Sequence, residues 1–181
     1  MNSALFKIFF VLCCFLCVQE EPTLTWDESY RLSWEDFKGK PNHNISAVAI
    51  TASGISFGFS VKRSDNRVIS FTTNVYTHFY PEQSWYKPNL ADAHVLGHEQ
   101  LHFDITELYA RKFRERISRL KVSNIIRAEL KNLNKSINKE LATMQDDYDN
   151  ETDYSRNFEQ QAKWKVYIAG ELQKLSKYKS K

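Results

Sequence analysis

The spacing of apolar residues changes once along this chain, from every second residue to every third or fourth. Between residues 55 and 61, apolar side chains alternate with small or polar ones, and the same alternation runs from Ile69 to Phe79. Ser64-Asp65-Asn66, between the two segments, has turn-forming chemistry. A period of two places the apolar side chains on one face of a strand, so these segments predict a β-hairpin with one half-buried face.

From about Asp92 the apolar spacing is that of amphipathic helices. It predicts a long first helix to about Lys121, a second helix that Ser123 can cap, and a third over roughly 156–177. The acidic stretch 146–153 is expected to end the second helix. Strands followed by helices predict an α+β fold, with an N-terminal antiparallel β-sheet followed by a three-helix C-terminal part.

An uninterrupted apolar run, Ile8–Val18, lies between Lys7 and the polar residues that begin at Gln19. This pattern is typical of a secretory signal peptide and is too short to span a bilayer. We therefore assign 1–19 to a signal peptide and 20–181 to a single domain. A secreted or periplasmic protein without stable membrane association after cleavage is expected. The alternative is a retained signal anchor, because only cysteines supply the small residues preferred before a cleavage site.

The composition excludes several kinds of site and partner. All three cysteines, Cys13, Cys14 and Cys17, lie in the apolar run, so the mature chain has no disulfide, thiolate metal site or cysteine nucleophile. The formal net charge is +3, and its 25 basic residues are spread along the chain without a dense block. Nucleic acid is therefore not an expected partner.

The most specific motif is His98-Glu99-Gln100-Leu101-His102 on the predicted first helix. Residues four apart on a helix lie at nearly the same azimuth, so the two imidazoles project side by side, as two ligands of one tetrahedral Zn²⁺ require. Glu99 lies on the flank of that face, where its carboxylate can accept a proton from water without being a ligand. The motif predicts His98 and His102 as zinc ligands and Glu99 as general base. The alternative is a chance spacing of helical histidines.

Other polar residues near the motif have simpler interpretations. His94 lies one turn before His98, but three successive turns rarely converge on one small ion, so a surface histidine is expected. Asp104 and Glu107 are expected to hydrogen-bond to a ligand imidazole, or in the case of Glu107 to form a salt bridge with Arg111. Ser84 has no partner set for nucleophilic catalysis and is interpreted as a loop serine.

Blocks of residues from about Leu32 to Trp164 carry a family resemblance. The blocks are Trp34–Pro41, Thr51–Ile55, Ser84-Trp85, His98–Ile105 with Glu107, Ala110-Arg111, Tyr148-Asp149, Thr152, Gln160 or Gln161, and Trp164. They resemble the bacterial family called domain of unknown function 922, which is described as predicted secreted zinc-dependent proteases. The resemblance implies a zincin-like metallopeptidase architecture, with His98 and His102 as ligands and Glu99 as general base.

The third zinc ligand stays open in the sequence. The resembled family tends to have a histidine after the Tyr-Asp and Thr positions, where this chain has Tyr154. A tyrosinate at Tyr154, or a carboxylate from Asp149, Glu151 or Glu159, are the alternatives.

The motif and the resemblance together predict a secreted or periplasmic zinc-dependent hydrolase, in particular a metallopeptidase that acts on peptide or protein substrates. The strand from about Val68 to Tyr80 is a candidate edge for pairing with an extended peptide. The alternative function is a non-catalytic exported binding or scaffold domain with a degenerate zinc site.

Overall fold

The computed structural model describes residues 21–180, in which antiparallel strands precede three helices. The strands are β1 (Leu24–Thr25), β2 (Ala49–Ile50), β3 (Ser53–Ser64), β4 (Arg67–Phe79) and β5 (Trp85–Tyr86). The helices are α1 (Ala93–Ser118), α2 (Ile126–Glu151) and α3 (Phe158–Lys174), with single 3-10 turns at Trp34–Asp36 and Ser176–Tyr178. The α+β prediction is confirmed. The predicted signal peptide, residues 1–19, lies outside the described residues.

The β3–β4 hairpin is the main element of the sheet. The two strands pair along their whole length, and β1 pairs with the other edge of β4, which gives the strand order β1-β4-β3. The turn residues Asp65 and Asn66 have φ values of 45° and 63°. These left-handed conformations suit Asp and Asn and match the twist of a two-residue hairpin turn. The predicted hairpin is therefore confirmed.

A bulge in β4 changes one part of the expected pattern. Lys62 pairs with Ser70 and Arg63 pairs with Val68, so Ile69 has no partner on β3. The extra residue shifts the alternation by one position, and Ile69 is 48% exposed instead of facing the core. The prediction that Ile69 belongs to the apolar face is wrong for this reason.

Helix α1 lies at the centre of the fold and packs against β3, β4, α2 and α3. It begins where the Asp92 side chain accepts a hydrogen bond from the backbone N–H of Val95. Side-chain contacts near both ends show that α2 is antiparallel to α1 and α3 is parallel to it. The largest fully buried apolar side chains of this core are Ile105, Leu108, Phe113, Ile126, Leu130, Ile137, Tyr148 and Ile168.

The start of α2 differs from the sequence prediction, and its end agrees with it. Ser123 does not cap the helix; its hydroxyl donates to Glu129, and α2 begins after Ile125 without a side-chain cap. α2 ends at Glu151, within the acidic stretch 146–153 that was expected to end it. Acidic side chains near a helix C-terminus are unfavourable. Here the last turn is held by the fully buried Tyr148 and by hydrogen bonds to Asp149.

The segment before the hairpin forms a second apolar cluster against the first half of α1. Its buried members are Trp26, Leu32, Phe37, Phe79 and Phe103. Trp26 also donates its indole N–H to the Asp104 carboxylate at 2.8 Å, which fixes this segment to α1. Between residues 21 and 180, no helix combines the length and apolar character that a bilayer span requires.

A buried ion-pair network joins α1 to the sheet. The fully buried Glu107 carboxylate accepts hydrogen bonds from Arg111 Nε at 2.9 Å, Arg114 Nη1 at 3.2 Å and Thr77 Oγ1 at 2.7 Å. The salt bridge between Glu107 and Arg111 is thus one of the two arrangements expected from the sequence. Arg114 also donates to the backbone carbonyl of Val75 in β4, so the network fixes the position of α1 on the sheet.

We predict that Glu107→Ala destabilises the fold by about 3–5 kcal/mol, because it leaves two guanidinium groups in the interior without their carboxylate. Glu115→Ala is the control, since Glu115 pairs with the exposed Arg119 on the same helix and should contribute no more than about 1 kcal/mol. Urea unfolding of both variants measures the difference. Equal losses of stability would show that the buried network does not fix α1.

Candidate metal centre

Three ligand-type side chains converge where the start of α1 meets the end of α2. His98 and His102 lie one turn apart on α1, and their Nε2 atoms are 3.1 Å from each other. Asp149, in the last turn of α2, places Oδ1 3.0 Å from each of these nitrogens. The three atoms therefore form a nearly equilateral triangle, which is an arrangement that can hold a metal ion.

The triangle fits the dimensions of a tetrahedral zinc site. Ligand atoms about 2.0–2.1 Å from zinc at tetrahedral angles lie about 3.3 Å from each other. The separations of 3.0–3.1 Å are close to that value. Two imidazoles and one carboxylate are also a ligand set that catalytic zinc sites use, with one coordination position left open. The residues present therefore fit zinc.

The charge state of Asp149 suits a metal ligand. Burial by itself would raise the pKa of Asp149, but the hydrogen bonds from the His102 and His98 imidazoles hold it well below its usual range. Burial would lower the pKa of His102, but the hydrogen bond to Asp149 and the nearby negative charges, including that of Glu99, raise it overall. Asp149 is therefore ionised, as a coordinating carboxylate must be.

Hydrogen bonds from α2 fix the orientation of the His102 ring. Gln145 Oε1 accepts a short hydrogen bond from His102 Nδ1, and Gln145 Nε2 donates to the His102 carbonyl at 3.0 Å and to Thr106 Oγ1 at 3.2 Å. Thr106 in turn shares a 2.7 Å hydrogen bond with Ser53 of β3. Because Nδ1 keeps its proton toward Gln145, the Nε2 atom is the one available to a metal.

Packing holds the His98 ring in place. The ring stacks on Tyr148 with 4.5 Å between centroids, and the Tyr148 hydroxyl donates to the His98 carbonyl at 3.4 Å. His98 Nδ1 is buried and has no hydrogen-bond partner among residues 21–180. Burial, and then the charges of Glu99 and Asp149, raise the pKa of Tyr148 far above its ordinary value, so this hydroxyl stays protonated.

Glu99 is buried beside the triangle, yet its carboxylate has no hydrogen-bond partner among residues 21–180. Thr51 donates to the backbone carbonyl of Glu99 at 3.2 Å, which joins α1 to the segment that follows β2. Within the described part of the chain, no residue donates a hydrogen bond to the Glu99 carboxylate, and its Oε2 atom is fully enclosed. Most buried polar atoms in proteins are hydrogen-bonded, and a buried carboxylate without a partner is often part of a functional site.

The triangle and Glu99 line a cleft of about 760 Å³. Residues 45–51, which include β2, form one wall of the cleft, and Tyr154, Ser155, Arg156 and Phe158 form its rim. Asp153, just before this rim, and Tyr154 and Ser155 on it have successive φ values of 49°, 51° and 73°. Each left-handed residue costs about 1–2 kcal/mol, so the rim needs external support. A hydrogen bond of 2.8 Å between His94 Nε2 and the Ser155 carbonyl supplies part of it.

The structure separates the four candidates for a third ligand. Only Asp149 joins the two imidazoles among the carboxylates of the described chain. Glu151 accepts the indole N–H of Trp164 at 2.8 Å, and Glu159 is an exposed residue of α3 that pairs with Lys163. Tyr154 lies on the rim of the cleft and is 59% exposed. Asp149 is therefore the candidate that the fold brings to the site.

Other residues singled out in the sequence have structural roles. Asp104 accepts hydrogen bonds from Trp26, Arg31 and Gln100, so the expectation that it contacts a ligand imidazole is wrong. His94 lies outside the triangle and is partly exposed, and its ring stacks on Phe158, so the expected surface histidine also packs against α3.

Ser84 is buried, where its hydroxyl donates to the Tyr80 carbonyl at 2.9 Å and accepts from the Ala52 N–H. These contacts connect the end of β4 to the segment after β2. The interpretation of Ser84 as a structural loop serine agrees with them.

Sequence reasoning missed Gln145 and Thr106. Gln145 precedes Asp149 by four residues, so helical periodicity places both side chains on one face of α2. With Asp149 as a candidate ligand, this periodicity indicates Gln145 as a residue next to the site. Thr106 follows His102 by the same interval and donates to its carbonyl at 3.0 Å.

A family model described as bacterial protein of unknown function (DUF922) matches residues 30–157. The matched range includes the three residues of the triangle, Glu99 and Gln145. The resemblance expected from the sequence is thus confirmed, while the description of the family leaves its activity open. Comparison with curated proteins and with solved structures gave no match.

We predict that Asp149→Ala weakens zinc binding by more than about tenfold, since losing a ligand should cost at least as much as losing an outer hydrogen-bond partner. Tyr154→Phe is the control and should leave zinc affinity unchanged. Competition with a chromophoric chelator measures both. The assignment of Asp149 fails if the effects of the two substitutions are reversed.

A second prediction concerns the orientation of His102. Gln145→Leu removes the acceptor for His102 Nδ1 but no ligand, and should weaken zinc binding by about ten- to a hundredfold. Gln173→Leu, at an exposed position of α3, should have no effect. Zinc affinity of a folded Gln145→Leu variant equal to that of the wild type would contradict this role.

Proposed function

The chain belongs to the DUF922 family of bacterial proteins of unknown function, and we propose that it is a zinc-dependent hydrolase, in particular a peptidase. One observation carries the proposal. The ligand atoms of His98, His102 and Asp149 lie within 3.1 Å of each other, beside the buried carboxylate of Glu99, which accepts no hydrogen bond from the described residues. A metal site and a free base in one cleft are the two requirements of metal-assisted hydrolysis.

His98, His102 and Asp149 would hold the zinc. Three protein ligands with an open position are typical of catalytic sites, whereas structural zinc sites are usually closed by four protein ligands. Zinc bound there would supply a Lewis acid that polarises the scissile carbonyl and lowers the pKa of the attacking water. Gln145 and Tyr148 would keep the two imidazoles in their orientations during this chemistry.

Glu99 would act as the general base. Its carboxylate lines the same cleft as the three ligands and does not have to break a hydrogen bond to another described side chain before it accepts a proton. It would take the proton from the attacking water and pass it to the leaving amine, so the reaction needs no covalent intermediate on the protein. Burial of Glu99 strengthens its electrostatic interactions with the reacting groups.

Strand β2 offers a binding edge for an extended peptide. It pairs with β5 on one side, and no strand within residues 21–180 pairs with its other side. The 2.8 Å bond from Lys87 N–H to the Val48 carbonyl sets the alternation of the ladder, so the N–H and C=O groups of Ala49 point away from β5. Because residues 45–51 line the cleft, a peptide paired with this edge would lie beside Glu99.

The binding edge suggested by the sequence, residues 68–80, lies elsewhere. β4 is the central strand of its sheet and does not line the cleft. The two histidines of α1 line the cleft together with the short strand β2, which supports the zincin-like arrangement that is part of this proposal. Export through the segment 1–19 also stays a prediction.

The alternative function is a non-catalytic domain whose zinc site is degenerate because Tyr154 replaces a histidine. Asp149 supplies a third donor, so a zinc site does not depend on Tyr154. No contact among the described residues favours the non-catalytic alternative.

We predict that Glu99→Gln retains zinc but lowers peptide turnover by about a hundredfold to ten-thousandfold, because glutamine keeps the shape and removes the base. Glu115→Gln, on the same helix but remote from the cleft, is the matched control. Zinc content and cleavage of a broad peptide library are measured for each zinc-loaded protein. Wild-type turnover in Glu99→Gln would exclude the general-base role, and a zinc-loaded wild type that cleaves no peptide would exclude the peptidase proposal.

A further inference from the structure

A second surface of unusual composition lies at the opposite end of α1 from the cleft. It consists of residues 62–69 at the end of the hairpin and residues 119–131, which connect α1 to α2 and form the first turns of α2; we call it the basic tip. The backbone N–H of Val68 donates to Asn124 Oδ1 at 2.9 Å, so the two segments are in contact. The Arg127 guanidinium lies 5.3 Å from the centre of the Phe59 ring, which also joins α2 to the hairpin.

The basic tip concentrates the positive charge of the chain. It contains seven basic and only two acidic residues, whereas the whole chain has a net charge of +3. The basic residues are Lys62, Arg63, Arg67, Arg119, Lys121, Arg127 and Lys131, and all are exposed. Of these, only Arg119 forms an ion pair with another residue of the described range, Glu115. Six exposed cations therefore remain available to an external anion.

Aliphatic side chains are exposed among these cations. Ile69 is 48% exposed, Val122 49% and Ile125 64%. The bulge in β4 turns Ile69 outward, while Val122 and Ile125 lie in the connection between α1 and α2. Transfer of these apolar side chains from water into an apolar phase is favourable, so an exposed group of them indicates a binding surface.

The two properties together identify the kind of partner. A bilayer with anionic headgroups offers negative charge at its surface and hydrocarbon beneath it, and so matches both the cations and the aliphatic side chains. A nucleic acid would use the cations but would leave the aliphatic side chains exposed. Strand-binding proteins also present aromatic side chains for base stacking, and none of the exposed residues of the basic tip is aromatic.

We propose that the basic tip docks reversibly on a bilayer surface that contains anionic phospholipids. His102 and the end of α1 are separated by about 24 Å at 1.5 Å per residue, so the cleft stays open to solvent while the tip is bound. Docking of this kind involves no spanning segment and depends on ionic strength. It does not rest on the zinc site or on peptidase activity.

The test is co-sedimentation with vesicles of equal parts phosphatidylglycerol and phosphatidylcholine, and with vesicles of phosphatidylcholine alone. The protein used begins at residue 20, the predicted start of the mature chain, so that the apolar run Ile8–Val18 cannot contribute to vesicle binding. The wild type should bind the anionic vesicles and not the neutral ones. Lys62→Gln with Lys121→Gln should weaken binding by about twenty- to thirtyfold, at about fivefold for each basic residue.

Two further double substitutions separate docking from general charge attraction. Val122→Ser with Ile125→Ser should weaken binding by at least about tenfold, because these side chains insert among the lipids. Lys38→Gln with Lys40→Gln removes the same charge from the other end of the sheet and should change binding by less than about twofold. Thermal unfolding and zinc content, equal in all variants, confirm that the fold and the candidate metal centre are unaffected.

Three results would overturn the proposal. The first is a wild type that does not bind anionic vesicles at low salt. The second is equal weakening by the Lys38 and Lys40 substitutions, which would show that overall charge is responsible. The third is unchanged binding after the Val122 and Ile125 substitutions, which would assign the surface to a soluble polyanion.

Discussion

The fold depends on a helix that is buried on nearly every side although it carries many polar residues. α1 packs against the sheet, α2, α3 and the N-terminal segment. Each of its buried polar side chains that lacks a hydrogen-bond partner therefore destabilises the fold. Asp104 and Glu107 have such partners and connect α1 to its neighbours. The carboxylate of Glu99 has none among the described residues, although it is equally buried. This contrast separates the polar residues that hold the fold together from the one that we assign to catalysis.

The two ends of α1 contribute to different surfaces, the cleft and the basic tip. At its N-terminal end, α1 supplies His98, Glu99 and His102 to a cleft lined by β2, one edge of which pairs with no strand of residues 21–180. At its C-terminal end, the connection to α2 meets the hairpin and forms the basic tip. A rigid helix keeps the two surfaces at a constant separation, so attachment to a membrane would restrict where the cleft can reach without altering its geometry.

Much of the fold could be predicted from periodicity and turn chemistry. The hairpin over residues 53–79, the order of strands before helices, and the motif on the first helix all follow from neighbours within a few residues. The predictions that were wrong concern places where a tertiary contact outweighs a local preference. Ile69 is exposed because the strands slip by one residue at the bulge. Asp104 contacts Trp26 and Arg31 instead of a ligand imidazole because the N-terminal segment packs against α1.

The sequence by itself determined that His98 and His102 lie side by side and that Glu99 lies next to them, because helical geometry relates residues four apart. It did not determine that Asp149, rather than Tyr154, Glu151 or Glu159, completes the triangle. Nor did the sequence predict the basic tip, because its cations belong to two segments about fifty residues apart in the chain. Contacts between residues distant in the chain depend on how the helices pack against each other and against the sheet. Only the tertiary structure decides them, because packing is set by the whole core and not by any local pattern.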